Sequence, residues 1–309
     1  MQFINKLQCN AFLLSMSLLL IASSIPVFGQ IAHGEKENPS IGQQKPLIIT
    51  TIKPLAIIAK SAVGENAQVE TLQTTVQSAH DVTLTLSSLK RVEQAALIIW
   101  VGGGFEGRIG KSLGLQPEDK QLILAEMEFI SAGPVDKGGH HHHDDHHGEI
   151  DLQFDPHIWL NPANANILAN RIQQRLDLPL SPVMSAELIE KLKRDLEPYK
   201  SRSFLTHHDA YDHFIEAFGL SDGLSIRDPS GASQGARSQY LLRREVEATG
   251  ISCIFIEPQY ADRDARVFAR ELELPMVVLD PQGIEQQLTA DSYSQFMVKM
   301  AGQFKACFN

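Results

Sequence analysis

The chain has 309 residues, of which 43% are hydrophobic, and a formal charge of −10 from 27 Lys and Arg against 37 Asp and Glu. This length is large for one domain and sufficient for two lobes that each bury a core. The acidic excess argues against nucleic acid or an anionic membrane surface as a partner, and it weakly favours cations.

Residues 1–29 have the pattern of a secretory signal peptide. Lys6 supplies a positive start, residues 11–22 form an apolar run, and 27–29 offers small residues for cleavage. A membrane anchor is the alternative, but the run is shorter than the roughly 20 apolar residues that span a bilayer. Cys9 precedes the run, so a lipid-modified cysteine at the cleavage site is not expected. We therefore expect an exported, soluble protein of the periplasm.

A flexible leader at 30–45 precedes a first lobe, 46–164, in which short β-branched runs alternate with amphipathic stretches. The predicted strands are Leu47–Ile52, Gln68–Leu72, Leu97–Val101 and Gln121–Leu124. The predicted helices are Pro54–Val63, with proline in its first turn, and Leu84–Ala96, with Leu86, Leu89, Val92 and Ala96 on one face. This alternation predicts a parallel sheet covered on both faces.

A histidine-rich segment, 138–148, interrupts the alternation after the last of these strands. It contains no apolar residue that could enter a core, so we expect a solvated loop. Its candidate auxiliary metal ligands are His140, His141, His142, His143, Asp144, Asp145, His146 and His147. The loop could bind additional ions weakly, as a scavenger or a sensor of sufficiency, or it could only add solvated charge.

The next segment, 165–200, is predicted to link the first lobe to a second, 201–309. Its helical pattern covers 162–176 and 185–199, with a break near Pro179 and Pro182. In the second lobe the predicted strands are Ser203–Thr206, Leu224–Arg227, Cys253–Ile256 and Met276–Leu279, and the predicted helices are Ala210–Phe218, Ala236–Ala248, Arg263–Leu272 and Ser292–Lys305. The predicted fold class is α/β, with two lobes of parallel-type sheets flanked by helices.

Four candidate metal ligands lie at the ends of predicted strands or after the inserted loop: His80, His157, His208 and Asp280. Ligands of open parallel sheets bind beyond the carboxyl ends of the strands, so we expect these side chains to meet between the lobes. Neutral imidazoles, with one oxygen ligand or water, suit Zn²⁺ better than Mg²⁺ or Ca²⁺. Asp280 is either the fourth ligand or the cap of the turn after it, with water then completing the site.

Several polar neighbours have other interpretations. Glu257 ends a strand at the same edge but precedes a proline turn, which makes it a less favoured ligand. His207 is out of phase with the ligand beside it and should face away from it, and His213 lies on the following helix. Asp81 and Asp209 either orient imidazoles or are solvated loop residues.

Cys253 and Cys307 are the cysteines that remain after removal of the signal peptide. In an oxidising compartment such a pair most simply forms a disulfide, which would join the C-terminal helix to a core strand. Two thiolate metal ligands are the alternative, and the position of Cys307 near the C-terminus disfavours it.

The chain resembles the zinc-binding subunits of bacterial high-affinity zinc uptake ABC transporters, in the cluster A-I (cluster 9) solute-binding protein family. The resemblance covers 46–309 and includes the two cysteines. The matching stretches are His80-Asp81, Leu86 to Arg91, Leu97 to Gly102, Asp155 to Pro162, His208 to Tyr211, Ile256 to Gln259 and Leu279 to Pro281. The family implies two lobes bridged by one long, rigid helix, with a metal held between them by His80, His157 and His208. Asp280 matches a position that supplies a carboxylate in some members.

The resemblance also implies a function. The protein would capture Zn²⁺ as its transported ligand and deliver it to the membrane permease and ATPase of a zinc ABC importer. The His- and Asp-rich loop is characteristic of zinc members, and a manganese or iron carrier of the same family is the alternative. We expect a monomer that is not an enzyme, since the sequence lacks the His-Glu-x-x-His motif and the nucleophile elbow of hydrolases. The absence of a lipid cysteine disfavours a surface adhesin.

Two departures from the family pattern stand out. The interval between the second and third histidines is shorter than usual and contains Pro179 and Pro182, which would kink or truncate the bridging helix. The run Gly102 to Gly104 is looser than the usual sequence at that place.

Overall fold

The computed structural model describes residues 45–73, 78–129, 155–232, 235–261 and 263–309, which form two four-stranded parallel sheets. The first sheet has the order β2-β1-β3-β4 and comprises β1 (Leu47–Thr50), β2 (Gln68–Thr71), β3 (Leu97–Trp100) and β4 (Gln121–Ile123). The second has the order β6-β5-β7-β8 and comprises β5 (Leu205–His208), β6 (Leu224–Arg227), β7 (Ile254–Ile256) and β8 (Met276–Val278). The predicted fold class is confirmed. The predicted signal peptide (1–29) and the histidine-rich loop (138–148) lie outside the described residues.

The helices follow the predicted alternation, with their ends shifted by a few residues. They are α1 (Lys53–Val63), α2 (Leu86–Gln94), α3 (Gly110–Leu113), α4 (Pro162–Arg175), α5 (Ala186–Leu196), α6 (Asp212–Phe218), α7 (Ala236–Thr249), α8 (Arg263–Leu272) and α9 (Ser292–Ala306). The short α3 was not predicted. In the part of the chain that the structure describes, no helix combines the length and the apolar character needed to cross a membrane.

The predicted apolar face of α2 is wrong at both of its ends. Leu86 is 84% exposed, whereas Val92 is fully buried, so α2 approaches the sheet only near its C-terminal end. Ala96 is exposed and lies beyond the last helical residue, and Ala95 is buried in its place. The helix begins where the sequence favours it, because the Thr85 hydroxyl accepts a hydrogen bond from the backbone N–H of Ser88 at 3.1 Å.

The segment 165–200 is not one continuous linking helix. α4 ends at Arg175 and α5 begins at Ala186, and the predicted break lies between them. Proline cannot donate a backbone hydrogen bond and disfavours helical geometry in the residue before it, so Pro179 and Pro182 interrupt the helix. The intervening chain folds back onto α4, where the Gln173 side chain bonds to the backbone N–H and C=O of Ser181, each at 3.0 Å.

The two sheets share a continuous hydrophobic core, and α9 contributes to it along its whole length. At the start of α9 the backbone N–H of Tyr293 donates to the Ser61 hydroxyl of α1 at 3.0 Å. At its end the Phe304 ring packs 5.3 Å, between centroids, from both Phe204 and Phe255 of the second sheet. Helix α9 therefore connects the first lobe to the second.

The predicted disulfide is confirmed. Cys307, directly after α9, is bonded to Cys253, directly before β7, across 54 residues of sequence. The bond fixes the end of α9 to the middle of the second sheet.

Replacing both cysteines by alanine should lower the free energy of unfolding by about 2–4 kcal/mol, because the open chain gains conformational entropy when it unfolds. Urea unfolding followed by circular dichroism measures the change. Reducing agent should destabilise the native protein by a similar amount and leave the double variant unaffected. Equal unfolding midpoints for the native protein and the variant would contradict a stabilising role of this bond.

Candidate metal centre

The structure brings His80, His157 and His208 together between the two sheets. His80 lies in a 3-10 turn after β2, His157 immediately precedes the 3-10 turn that leads into α4, and His208 is the last residue of β5. Each offers a ring nitrogen, and these three atoms lie within 4.8 Å of one another. The predicted end of β5 at Thr206 was two residues short, so His208 belongs to the strand itself.

His157 is oriented by the aspartate two residues before it. One oxygen of Asp155 accepts the Nδ1–H of His157 at 2.7 Å and the backbone N–H of the same residue at 3.0 Å. Burial favours the neutral form of Asp155, but His157 outweighs it, and the pKa of this carboxyl is lowered. Burial in turn lowers the pKa of His157, against the opposing effect of Asp155. The pair therefore presents a carboxylate and a neutral imidazole with Nε2 free to coordinate.

His208 is oriented in the same way by Glu257, which follows the neighbouring strand β7. Oxygen Oε1 of Glu257 accepts the Nδ1–H of His208 at 2.6 Å, and Oε2 accepts a hydrogen bond from the Gln259 amide at 2.6 Å. Both oxygens are thus engaged, and the Nε2 atom of His208 lies 3.3 Å from that of His157. The structure makes Glu257 the partner of a candidate ligand.

His80 is held by packing, by its own backbone and by a side-chain hydrogen bond to the backbone of Pro229. Its ring lies 4.3 Å, between centroids, from Phe105, and its backbone N–H donates to the Ser78 hydroxyl at 3.3 Å. Its Nε2 atom is buried and has no hydrogen-bond partner in the described structure. Burial, reinforced by the other two imidazoles, lowers the pKa of His80 from 6.5 to about 3. The imidazole is therefore neutral, and its Nε2 lone pair is available to a metal.

The loop that carries Phe105 is fixed by Glu106, a residue that sequence reasoning missed. The Glu106 carboxylate accepts hydrogen bonds from the Thr51 hydroxyl at 2.6 Å and from the backbone N–H groups of Val101 and Gly102 at 2.9 and 2.8 Å. Burial raises the pKa of Glu106 to about 7, against the lowering effect of these bonds. A glutamate five residues after a buried strand was the available signal.

Asp280 caps the turn that follows it. Its two oxygens accept hydrogen bonds from the backbone N–H groups of Gln282, Gly283 and Ile284 at 3.0, 3.1 and 2.9 Å. Burial raises the pKa of Asp280, although these bonds oppose the shift. Of the two roles left open by the sequence, this geometry favours the cap, and the convergent group of described residues comprises the three histidines alone.

The remaining polar candidates lie outside this group. His207 is buried and packs against Tyr260 with 5.1 Å between ring centroids, and its orientation away from the imidazole beside it stays a prediction. His213 is buried and its Nε2 lies 3.0 Å from the backbone carbonyl oxygen of Asp155, a support that the sequence did not reveal. Asp81 is exposed, and orientation of an imidazole by Asp209 stays a prediction.

The candidate ligand atoms face a small cavity between the lobes. It is lined by Ser78, Ala79, His80, His157, Trp159, His208, Tyr260, Pro281 and Gln282. Three converging imidazole nitrogens, with hydroxyl and amide groups around them, can hold a tetrahedral divalent ion whose fourth ligand is a small molecule such as water.

A sequence family and several known proteins match this chain. The family model described as "ZnuA: Zinc-uptake complex component A periplasmic" matches residues 48–178 and 184–307. A high-affinity zinc uptake system protein ZnuA of Haemophilus ducreyi is 28% identical over 287 residues, covering 84% of this chain and 92% of that protein. The one of Yersinia pestis is 29% identical over 292 residues, covering 84% and 90%. The crystal structure of a ZnuA deletion mutant with zinc bound has a TM-score of 0.67 at 21% identity and covers 85% of this chain and 98% of that one.

A fold of two parallel sheets with convergent imidazoles between them defines a two-lobed metal-binding protein of the solute-binding class. Within that class, the chain belongs to the ZnuA family of periplasmic components of zinc-uptake complexes.

Exchanging the two buried acids for their amides should separate their roles. Glu257→Gln removes the charge that orients His208 and should weaken Zn²⁺ binding by about 10- to 100-fold. Asp280→Asn should leave Zn²⁺ affinity within about threefold and lower the free energy of unfolding by about 1–2 kcal/mol, because one backbone N–H loses its acceptor. Competition with a chelator measures the affinity, and urea unfolding measures stability. A large loss of affinity in Asp280→Asn would identify Asp280 as a ligand instead.

The stability of the metal-free protein should fall in acid. Because the pKa of His80 in the folded protein, about 3, is below its usual 6.5, its contribution is complete above pH 6.5 and is lost as the pH falls towards 3. The difference in free energy of unfolding between the native protein and His80→Gln should therefore shrink by roughly 1–3 kcal/mol between pH 7 and pH 4. Chemical denaturation with a chelator present measures it. A difference that does not change with pH would show that His80 titrates normally.

Proposed function

We propose that this protein captures Zn²⁺ in the periplasm and delivers it to the membrane permease and ATPase of a zinc importer. The observation that carries the proposal is the convergence of His80, His157 and His208, whose candidate ligand nitrogens lie within 4.8 Å of one another. Membership of the ZnuA family and the names of the curated relatives support it.

The donor set favours zinc over manganese. Imidazole nitrogens suit Zn²⁺, whereas Mn²⁺ favours carboxylate and carbonyl oxygens. The nearby carboxylates already have partners, Asp155 and Glu257 with imidazoles and Asp280 with backbone N–H groups. We infer that a solvent molecule completes the coordination sphere.

Charge balance also supports a divalent ion. Two buried acidic side chains, Asp155 and Glu257, are each paired with an imidazole, and no lysine or arginine is among the residues lining the cavity. A bound ion of charge +2 neutralises both through the imidazoles, and its binding offsets the cost of burying them.

The engagement of these acids also supports a carrier over a hydrolase. A zinc hydrolase needs a general base positioned beside its metal-bound water.

We propose that the two lobes comprise residues 46–164 and 201–309, and that residues 165–200 link them as two helices. We also propose that residues 1–29 are a cleaved signal peptide and that the protein is a monomer. The loop ligands His140 to His147 then form an auxiliary, weaker site.

Calorimetric titration with Zn²⁺ tests the proposal on the native protein, on a 138–148 deletion and on His80→Ala. We expect tight binding of one ion to survive the deletion, because the interlobe histidines are intact. His80→Ala should weaken this binding at least 100-fold, because one of three ligands is lost.

The matched control is His207→Ala, which removes a buried histidine of the same region that is not among the residues lining the cavity. It should keep the tight site. Loss of tight binding in the deletion variant alone would place the primary site in the loop. Displacement of Zn²⁺ by Mn²⁺ at comparable concentrations would show that manganese, and not zinc, is the transported ion.

A further inference from the structure

A hydrogen bond joins the two lobes at the partly exposed side of the metal site. The hydroxyl of Ser78, from the first lobe, lies 3.1 Å from the hydroxyl of Tyr260, from the second. Both residues line the cavity that contains the three imidazoles. We call this pair the latch.

The latch is connected directly to His80. The same Ser78 oxygen that meets Tyr260 accepts the backbone N–H of His80 and so caps the 3-10 turn that carries this ligand. On the other side, the Tyr260 ring packs 5.3 Å, between centroids, from the ring of His208. The latch therefore joins the supports of two ligands without contributing a ligand atom.

Residues of the second lobe pack closely around the Tyr260 side chain. Gly231 has a positive φ of 78°, and a Cβ at this position would overlap the Tyr260 hydroxyl. The guanidinium of Arg227 lies 5.7 Å from the centre of the Tyr260 ring and also donates to the Gly231 carbonyl at 3.1 Å. Burial raises the pKa of Tyr260 to about 12, so its hydroxyl stays protonated and can donate.

Two other interlobe bonds around the cavity are more deeply buried. Trp159 donates to the Pro281 carbonyl at 2.9 Å, and the Gln73 amide donates to Gln282 at 2.6 Å, both among buried atoms. The latch is only partly buried, and His80 is the one ligand with appreciable exposure. Opening on the latch side thus breaks a less deeply buried bond than either of these two.

From this geometry we propose that Tyr260 gates the metal site: its bond to Ser78 sets how fast Zn²⁺ enters and leaves, while the histidines set how tightly it is held. The proposal rests on the function proposed above. Because neither latch residue is a ligand, breaking the bond eases opening in both directions.

The test is stopped-flow measurement of Zn²⁺ association, and of its release to an excess of a fluorescent chelator. In Tyr260→Phe, which keeps the ring, both rate constants should rise by a similar factor of roughly two to ten, the range expected for one hydrogen bond, with equilibrium affinity changed less than twofold. Tyr199→Phe is the matched control, since it removes a tyrosine hydroxyl that donates to Asn309 and is not among the groups lining the cavity.

A double-mutant cycle separates the latch from simple packing. In a Ser78→Ala background, Tyr260→Phe should change neither rate further, because the bond is already absent. Unchanged rates in Tyr260→Phe, additive effects in the double variant, or weaker affinity with an unchanged association rate would each overturn the gate. Failure of the native protein to bind Zn²⁺ tightly would instead overturn the proposed function.

Discussion

The metal centre depends on two buried carboxylate–imidazole pairs, Asp155 with His157 and Glu257 with His208. Each carboxylate holds the proton of its histidine on Nδ1, which fixes the tautomer and directs Nε2 towards the cavity. The two pairs also store negative charge in a water-poor site, where an unpaired charge is costly. A divalent cation is the species that satisfies both demands, since it accepts the nitrogens and balances the carboxylates.

The scaffold keeps these pairs in register by tying the lobes together. Helix α9 reaches Ser61 in the first lobe and the aromatic cluster around Phe255 in the second, and the Cys253–Cys307 bond fixes its end. The shared core makes large hinge motion costly, because opening the lobes would expose packed apolar surface. Exchange of the ion therefore depends on local movement at the edge of the site.

The sequence predicted much of this architecture, and physical reasons explain which features it did not predict. The alternation of strands and helices predicted both sheets. The rule that ligands bind at the carboxyl ends of parallel strands predicted that His80, His157 and His208 lie close together. The partnership of Glu257 with His208 could not be predicted, because it requires β5 and β7 to be neighbours although β6 lies between them in the chain. The role of Asp280 depended on the conformation of a turn, which a Pro-Gln-Gly sequence allows but does not fix.

The three candidate ligands are held in unequal ways, and on the proposed function this asymmetry separates affinity from exchange. His157 and His208 are almost completely buried and bonded to carboxylates, which fixes the orientation of both rings. His80 is held by the Phe105 ring, by the Ser78 cap and by a hydrogen bond to the Pro229 backbone, all neutral contacts that are weaker than a charge-assisted bond. A site with two fixed ligands and one on a partly exposed turn can bind tightly and still release its ion through movement of that one turn.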